Sequence, residues 1–311
     1  MNNTNNNVSS NVNMLNASNI SDIKKGYLLG LLAVILFSMT VPATKIAVVE
    51  LPAFFLSSGR TIIASFLAII YLLSCKKKIP DSKTLVNLFI IGLCVAVIFP
   101  ICISFAMKYT NASHGGIVLG ILPLTTAAVS TLLLKQRLSI WFWVCAILGS
   151  VIVIGFSLKQ ASGSLQIADI CLFIAVIAAS FGYVKGAKLT QKMAGIEVIS
   201  WALVLILPII IPIALFNMPS HDVLNSASLS AWLCFLYMAL ISQYLGFLPW
   251  YKGLALGGVA QVGQLQLLQP FFTLIISALL LGEHLSSEVV ICCLSIMAVV
   301  YTGRKLSYKK S

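Results

Sequence analysis

The chain has 311 residues, of which 59% are hydrophobic and 9% charged, with a mean hydropathy of +1.02 and a formal charge of +12. A water-soluble domain carries about a quarter charged residues, so this composition excludes one. The apolar residues fall in blocks of the ~20 residues that a membrane-crossing helix needs, and the chain reads as an all-α polytopic membrane protein.

Residues 1–23 open with "MNNTNNNVSSNVNMLNASNI", an Asn/Ser-rich stretch that predicts a disordered cytoplasmic tail. Sequons within it, such as Asn7-Val8-Ser9, arise readily by chance in this composition. A cleaved signal peptide is not expected, because the first apolar block is too long and no small-residue cleavage site follows it. Ten blocks follow: 27–49, 52–74, 84–107, 112–134, 139–158, 167–187, 197–216, 229–250, 257–281 and 287–303. Their length predicts helices rather than the short alternating strands of a barrel. Pro100 and Pro249, inside the third and eighth blocks, are expected to kink or divide those helices.

The positive charge is not spread as a nucleic-acid surface would be. Lys24 and Lys25, Lys76–Lys78 and Lys83, Lys135 and Arg137, Lys185, Lys188 and Lys192, Lys252, and the basic tail of residues 305–311 all fall on one side if ten spans start inside. The other side holds little beyond Lys45, Lys108 and Lys159. This asymmetry predicts a multi-pass protein of the cell (inner) membrane with both termini cytoplasmic. Its partners are then membrane lipid and a small-molecule substrate, not nucleic acid, with the chain a monomer or homodimer. The eight cysteines form no CxxC pair, so neither a disulfide framework nor a metal site is expected, and no cofactor is implied.

"HGGIVLGILPLTTAAVSTLLLKQRLS" from His114 aligns without a gap on "QVGQLQLLQPFFTLIISALLLGEHLS" from Gln261. Gly116 meets Gly263, Pro123 meets Pro270, Thr126 meets Thr273 and Ser130 meets Ser277. "AVILFS" at Ala33 matches "AVIAAS" at Ala175 more faintly. The repeat unit is five helices, an odd number, so the second copy must enter the membrane from the opposite side. Two inverted five-helix repeats, 24–160 and 161–304, predict the architecture of a secondary transporter. With a mid-helix Pro and "LLLxxxLS" in each half, Glu283 in a Gly-Glu pair and Arg60 early in the second helix, the chain resembles the EamA-type members of the drug/metabolite transporter superfamily. Lys135-Gln136-Arg137 and "FSMT" (Phe37–Thr40) depart from that family's pattern. The resemblance implies export or exchange of a small metabolite. It also leaves open import of a nucleotide-like metabolite such as S-adenosylmethionine, or drug efflux.

Polar residues within the blocks are the candidate site, because a buried amide must find a hydrogen bond or a wet cavity. At 100° per residue, Gln261, Gln264 and Gln269 share one arc and Gln266 stands aside. They line a substrate cavity or act as glue between helices. Gln243 and Tyr244 in the eighth block, Tyr183 in the sixth and Thr40 in the first are further candidates for substrate contact. Arg60 either binds a carboxylate, gates, snorkels or pairs with Glu50. Lys45 attracts anions or is a solvated helix end, and His114 caps a helix or carries a proton. Pro123 and Pro270 mark hinges or tolerated kinks. Small-residue pairs such as Gly116/Gly120 and Gly253/Gly257 predict close internal packing.

No GxxxxGK[ST] motif occurs, so the sequence offers no ATP site, and no acid lies mid-block where a proton relay would want one. Exchange or downhill flow is therefore expected. An intramembrane enzyme lacks a recognisable catalytic set here, and a channel lacks a repeated filter or charged ring.

Overall fold

The computed structural model describes residues 3–134, 139–160, 166–257 and 262–308, and all the regular structure among them is helical. The first half comprises α1 (Asn3–Ser38), α2 (Thr40–Glu50), α3 (Ala53–Ser74), α4 (Ser82–Gly92), α5 (Phe99–Tyr109), α6 (Ala112–Leu119), α7 (Leu122–Leu134) and α8 (Ile140–Gln160). The second comprises α9 (Ile167–Leu189), α10 (Gly195–Phe216), the short α11 (His221–Ser226), α12 (Leu229–Tyr237), α13 (Phe247–Gly257), α14 (Gln269–Leu281) and α15 (Ser287–Tyr308). Among the described residues, seven stretches are long and apolar enough to cross a membrane. Trp143–Phe156, Leu265–Leu281 and Ser287–Val299 are shorter apolar helices. α1 runs through the Asn/Ser-rich stretch, which the composition assigns to a disordered tail; a helix already nucleated by a span extends without a new nucleus.

Packing pairs the halves by equivalence. α3 lies on α10 and α8 on α15, each joining a helix to its counterpart, while α6 lies on α14, the counterpart of its neighbour α7. The crossed pairs also match, α1 with α13 and α9 with α4 and α5. In lipid no hydrophobic force drives helices together, so close contact depends on small residues at the crossings. A Cβ placed on Gly116 would lie 2.8 Å from Thr273 Cγ2, and one on Gly120 would lie 3.1 Å from Pro270 Cγ. At the α1–α13 crossing a Cβ on Gly26 would stand 2.5 Å from the Gly257 backbone nitrogen. Both predicted glycine pairs thus serve packing within the chain.

The prolines sit where the helices change geometry. A π-helical segment, Leu93–Ile98, precedes Pro100, and another, Met238–Leu245, precedes Pro249 in the equivalent helix. Proline has no N–H and its ring clashes with the carbonyl four residues back, and a wider turn beforehand relieves both problems. The helices therefore bulge there. Pro123 and Pro270 behave differently, standing in the first turns of α7 and α14, where a missing N–H is harmless. Each opens a new helix after an irregular turn.

The helix ends on each side are held by charge. Lys45 Nζ donates to the carbonyls of Met107 (3.0 Å) and Thr110 (2.8 Å), capping α5 with a cation at its negative end. Glu283 accepts from the N–H groups of Ala112 and Ser113 at 2.8 and 2.9 Å, placing an anion at the positive end of α6. Glu50 accepts from the Ser228 N–H and hydroxyl at the start of α12. In the loop after α3, Lys77 meets Glu197 of α10 at 2.5 Å, and that hydrogen bond holds its ammonium above the usual lysine range.

Gly26→Val is expected to destabilise the fold by about 1–3 kcal/mol through overpacking against rigid backbone. A thermal-unfolding midpoint in detergent no lower than wild type would show that the α1–α13 crossing is looser than described.

Candidate substrate site

The irregular points converge. α1 breaks at Met39 before Thr40, the two π-helical segments face one another, and a 3-10 segment (Gly263–Leu268) leads into Gln269. Between them lies a buried cavity lined on its polar side by Thr40, Arg60, Ser242, Gln243 and Gln269. Breaking a helix inside a membrane leaves backbone groups that need partners, and such breaks are tolerated where they are buried in protein or line a cavity. Here the partners are visible. Gln243 Nε2, in one π segment, donates to the Val95 carbonyl in the other at 3.2 Å. Thr61 Oγ1 donates to the Ala96 carbonyl, four residues before Pro100, at 2.8 Å.

The opposite wall is aromatic. Phe37 and Phe247 stand edge to face with centroids 5.2 Å apart, and Tyr183 leans on Phe247 and Trp250 at 6.2 and 5.6 Å. The cavity itself is narrow, with about 20 Å³ open to the centres of water molecules, which is room for about one water. A solute larger than water enters only if the surrounding helices separate.

Arg60 is the charge in this wall and is 1% exposed. Its Nη2 donates to Ser242 Oγ at 3.2 Å, and Ser242 Oγ in turn lies 2.7 Å from Thr40 Oγ1. It neither snorkels to the surface nor meets Glu50, whose carboxylate is bound at Ser228.

Each half also carries a threonine that contacts a serine of the other half. Thr273 Oγ1 of α14 donates to the Ser38 carbonyl at 2.9 Å, and Thr126 Oγ1 of α7 lies 3.3 Å from Ser180 Oγ in α9. Thr126 aligns with Thr273 and Ser38 with Ser180 in the internal repeat, so equivalent residues meet in both halves, through the serine carbonyl in one and its hydroxyl in the other.

A family model described as EamA-like transporter family matches the chain twice, over residues 24–158 and 166–302. The chain belongs to the EamA-like transporter family. It is 35% identical to the "Uncharacterized transporter YdeK" of Bacillus subtilis (strain 168) over 282 residues, covering 91% of this chain and 98% of that protein. It is 22% identical to the "Uncharacterized transporter YetK" of the same organism, over 81% of this chain and 78% of that one. A solved structure titled "Crystal structure of protein" superposes with a TM-score of 0.66 at 17% identity, covering 93% of this chain and 99% of that one. That last likeness shows the fold alone. The protein is a multi-pass membrane transporter.

Within this EamA-like chain the sequence-derived candidates separate. Thr40, Arg60, Tyr183, Gln243 and Gln269 meet at the cavity. Tyr244 does not; it turns away to Ser200 Oγ at 2.8 Å. Lys45 caps α5, and neither Pro123 nor Pro270 is among the residues lining the cavity. Gln261 lies outside the described residues, and of Gln264 only the backbone, in the 3-10 segment, is described. In that segment residues i and i+3 eclipse, so the 100° step used for the glutamine arc does not apply within it. Gln266, placed aside by the projection, is buried with neither side-chain amide atom partnered among the described residues. Ser242, Phe37 and Phe247 escaped the sequence reading; the matched positions of Pro100 and Pro249 were the available signal.

His114 lies away from the cavity, and its Nε2 stands 2.6 Å from Asp169 Oδ1, both residues buried. Asp169 also accepts from the Gln166 N–H at the start of α9. The pair ties α6 of one half to α9 of the other. It was invisible beforehand because the residues are 55 apart in sequence.

Asp169→Ala is expected to cost about 2–5 kcal/mol, since breaking a buried pair strands its partner. Adding His114→Ala should then cost less than it does in the wild-type background. Strictly additive losses in thermal unfolding would show that the two side chains are not coupled.

Proposed function

We propose that this protein is a secondary transporter that moves a small polar metabolite across the cell membrane by alternating access, as an exporter or exchanger. In this reading the ten apolar helices all span, the five-helix halves are inverted, and both termini are cytoplasmic. The observation that carries the proposal is the central cavity, where helix breaks from both halves meet at a shared polar site. Inverted repeats rocking about such a site expose it to each side in turn. The cavity's small size agrees with an occluded arrangement that must open on one side to load. Thr40, Tyr183, Gln243 and Gln269 would contact the substrate, Gln261 and Gln264 would extend the amide surface, and the turns before Pro123 and Pro270 would flex.

The ties between halves supply a test. Glu50 and Ser228 are hydrogen-bonded across the ends of α2 and α12, one from each half. Cysteines at both positions, in a Cys75→Ser background and joined by a short thiol-reactive cross-linker, should stop solute efflux from proteoliposomes. Reduction of a cleavable linker should restore it. Flux that continues at full rate through the cross-linked protein would contradict rocking of the halves and favour a channel.

A further inference from the structure

Arg60 is buried against the central cavity, and among the described residues only its Nη2 has a partner. Nε and Nη1 have none. A buried cation is costly unless a charge of opposite sign stands beside it, and no carboxylate is among the described residues lining the cavity. The acids at the ends of the spans are occupied elsewhere. Glu50 holds Ser228, Asp169 holds His114, Glu197 holds Lys77, Glu283 holds the start of α6, and Glu288 holds Lys159. The missing counter-charge is therefore external to the protein.

We infer that the transported solute is a small organic monoanion, a monocarboxylate with a neutral hydrogen-bond donor and an apolar body, held by Arg60. This rests on the transporter reading above. The planar guanidinium is matched to a carboxylate. Gln269 Oε1, in the same cavity and without a partner among the described residues, accepts from a hydroxyl or amide of the solute. Phe37, Tyr183 and Phe247 receive its apolar part. Charge balance sets the monoanion apart from an amino acid. A zwitterion adds no net charge, so the site would keep its excess positive charge. A monoanion leaves the occupied site neutral.

A second observation points the same way. Lys83, Lys185, Lys188 and Lys192, with Asp81, line a separate cavity of about 330 Å³ between the start of α4 and the end of α9. A cleft with that excess of one sign concentrates solutes of the other. α9 serves both places, with Tyr183 at the central cavity and Val184 and Lys185 at the basic one.

The test uses full-length protein in liposomes loaded with matched solutes: lactate with alanine, and phenyllactate with phenylalanine and phenethylamine. Efflux is followed by mass spectrometry beside a broad metabolite pool. Hydroxy acids are expected to leave faster than their amino-acid and amine counterparts. Arg60→Gln should cut that flux about 100-fold, and Arg60→Lys, which keeps the charge and loses the planar fork, about tenfold. The charge preference of the wild type is read without any variant, so a poorly folding variant does not cloud it. Saturable efflux of amino acids, amines or neutral solutes in preference to monoanions would overturn the inference and leave the transporter reading standing. Monoanion flux unchanged in a folded Arg60→Gln variant would do the same. If no solute in either set moved, both would fall.

Discussion

In hydrocarbon, every backbone N–H and C=O must find a partner within the protein, and this molecule is organised around the few places where a regular helix cannot provide one. A straight α-helix meets the requirement automatically. The exceptions are the break at Met39, the π-helical segments before Pro100 and Pro249, and the turns before Pro123 and Pro270. Side chains from other helices supply the missing bonds, as Thr61 does for Ala96 and Gln243 for Val95. Polar side chains therefore collect where the backbone is irregular, and the candidate site is a consequence of that collection.

The same accounting explains the charges. Several charged groups at the ends of the spans are placed against a helix end, a hydrogen-bonding side chain or an opposite charge. Lys45 sits on the carbonyls ending α5, Glu283 on the amides starting α6, and Asp169 against His114. The Glu283 and Asp169 contacts tie elements of different halves, so they oppose separation of the halves on their side of the bundle. Arg60 stands out because, among the described residues, it meets neither a helix end nor an opposite charge. Its position one hydroxyl away from Thr40, at the break between α1 and α2, joins the charge to the same irregular backbone.

Much of this was legible in one dimension. The gapless match of residues 114–139 to 261–286 placed Gly116, Pro123 and Thr126 opposite Gly263, Pro270 and Thr273, and the structure returns matched helix breaks and contacts between the equivalent threonines and serines. The polar candidates Thr40, Arg60, Tyr183, Gln243 and Gln269 were recognisable because a polar group in an apolar block needs a reason. Tyr244, next to Gln243, shows the limit. Residues adjacent on a helix point about 100° apart, so one faces the cavity and the other Ser200.

What the sequence determined by itself is the class of solution: membrane-length apolar blocks, a duplicated helical unit, and polar residues too expensive to bury idly. Those follow from transfer energies and repetition, which depend on composition and order alone. Tertiary structure decided the rest. It closed His114 on Asp169 and Lys77 on Glu197 across 55 and 120 residues, and it assigned Lys45 to a helix cap. It also tightened Gly263–Leu268 into a 3-10 segment, where the 100° step per residue does not apply. Each of these turns on which chain segments become neighbours and on the local pitch a proline imposes, and neither can be read from periodicity along one helix.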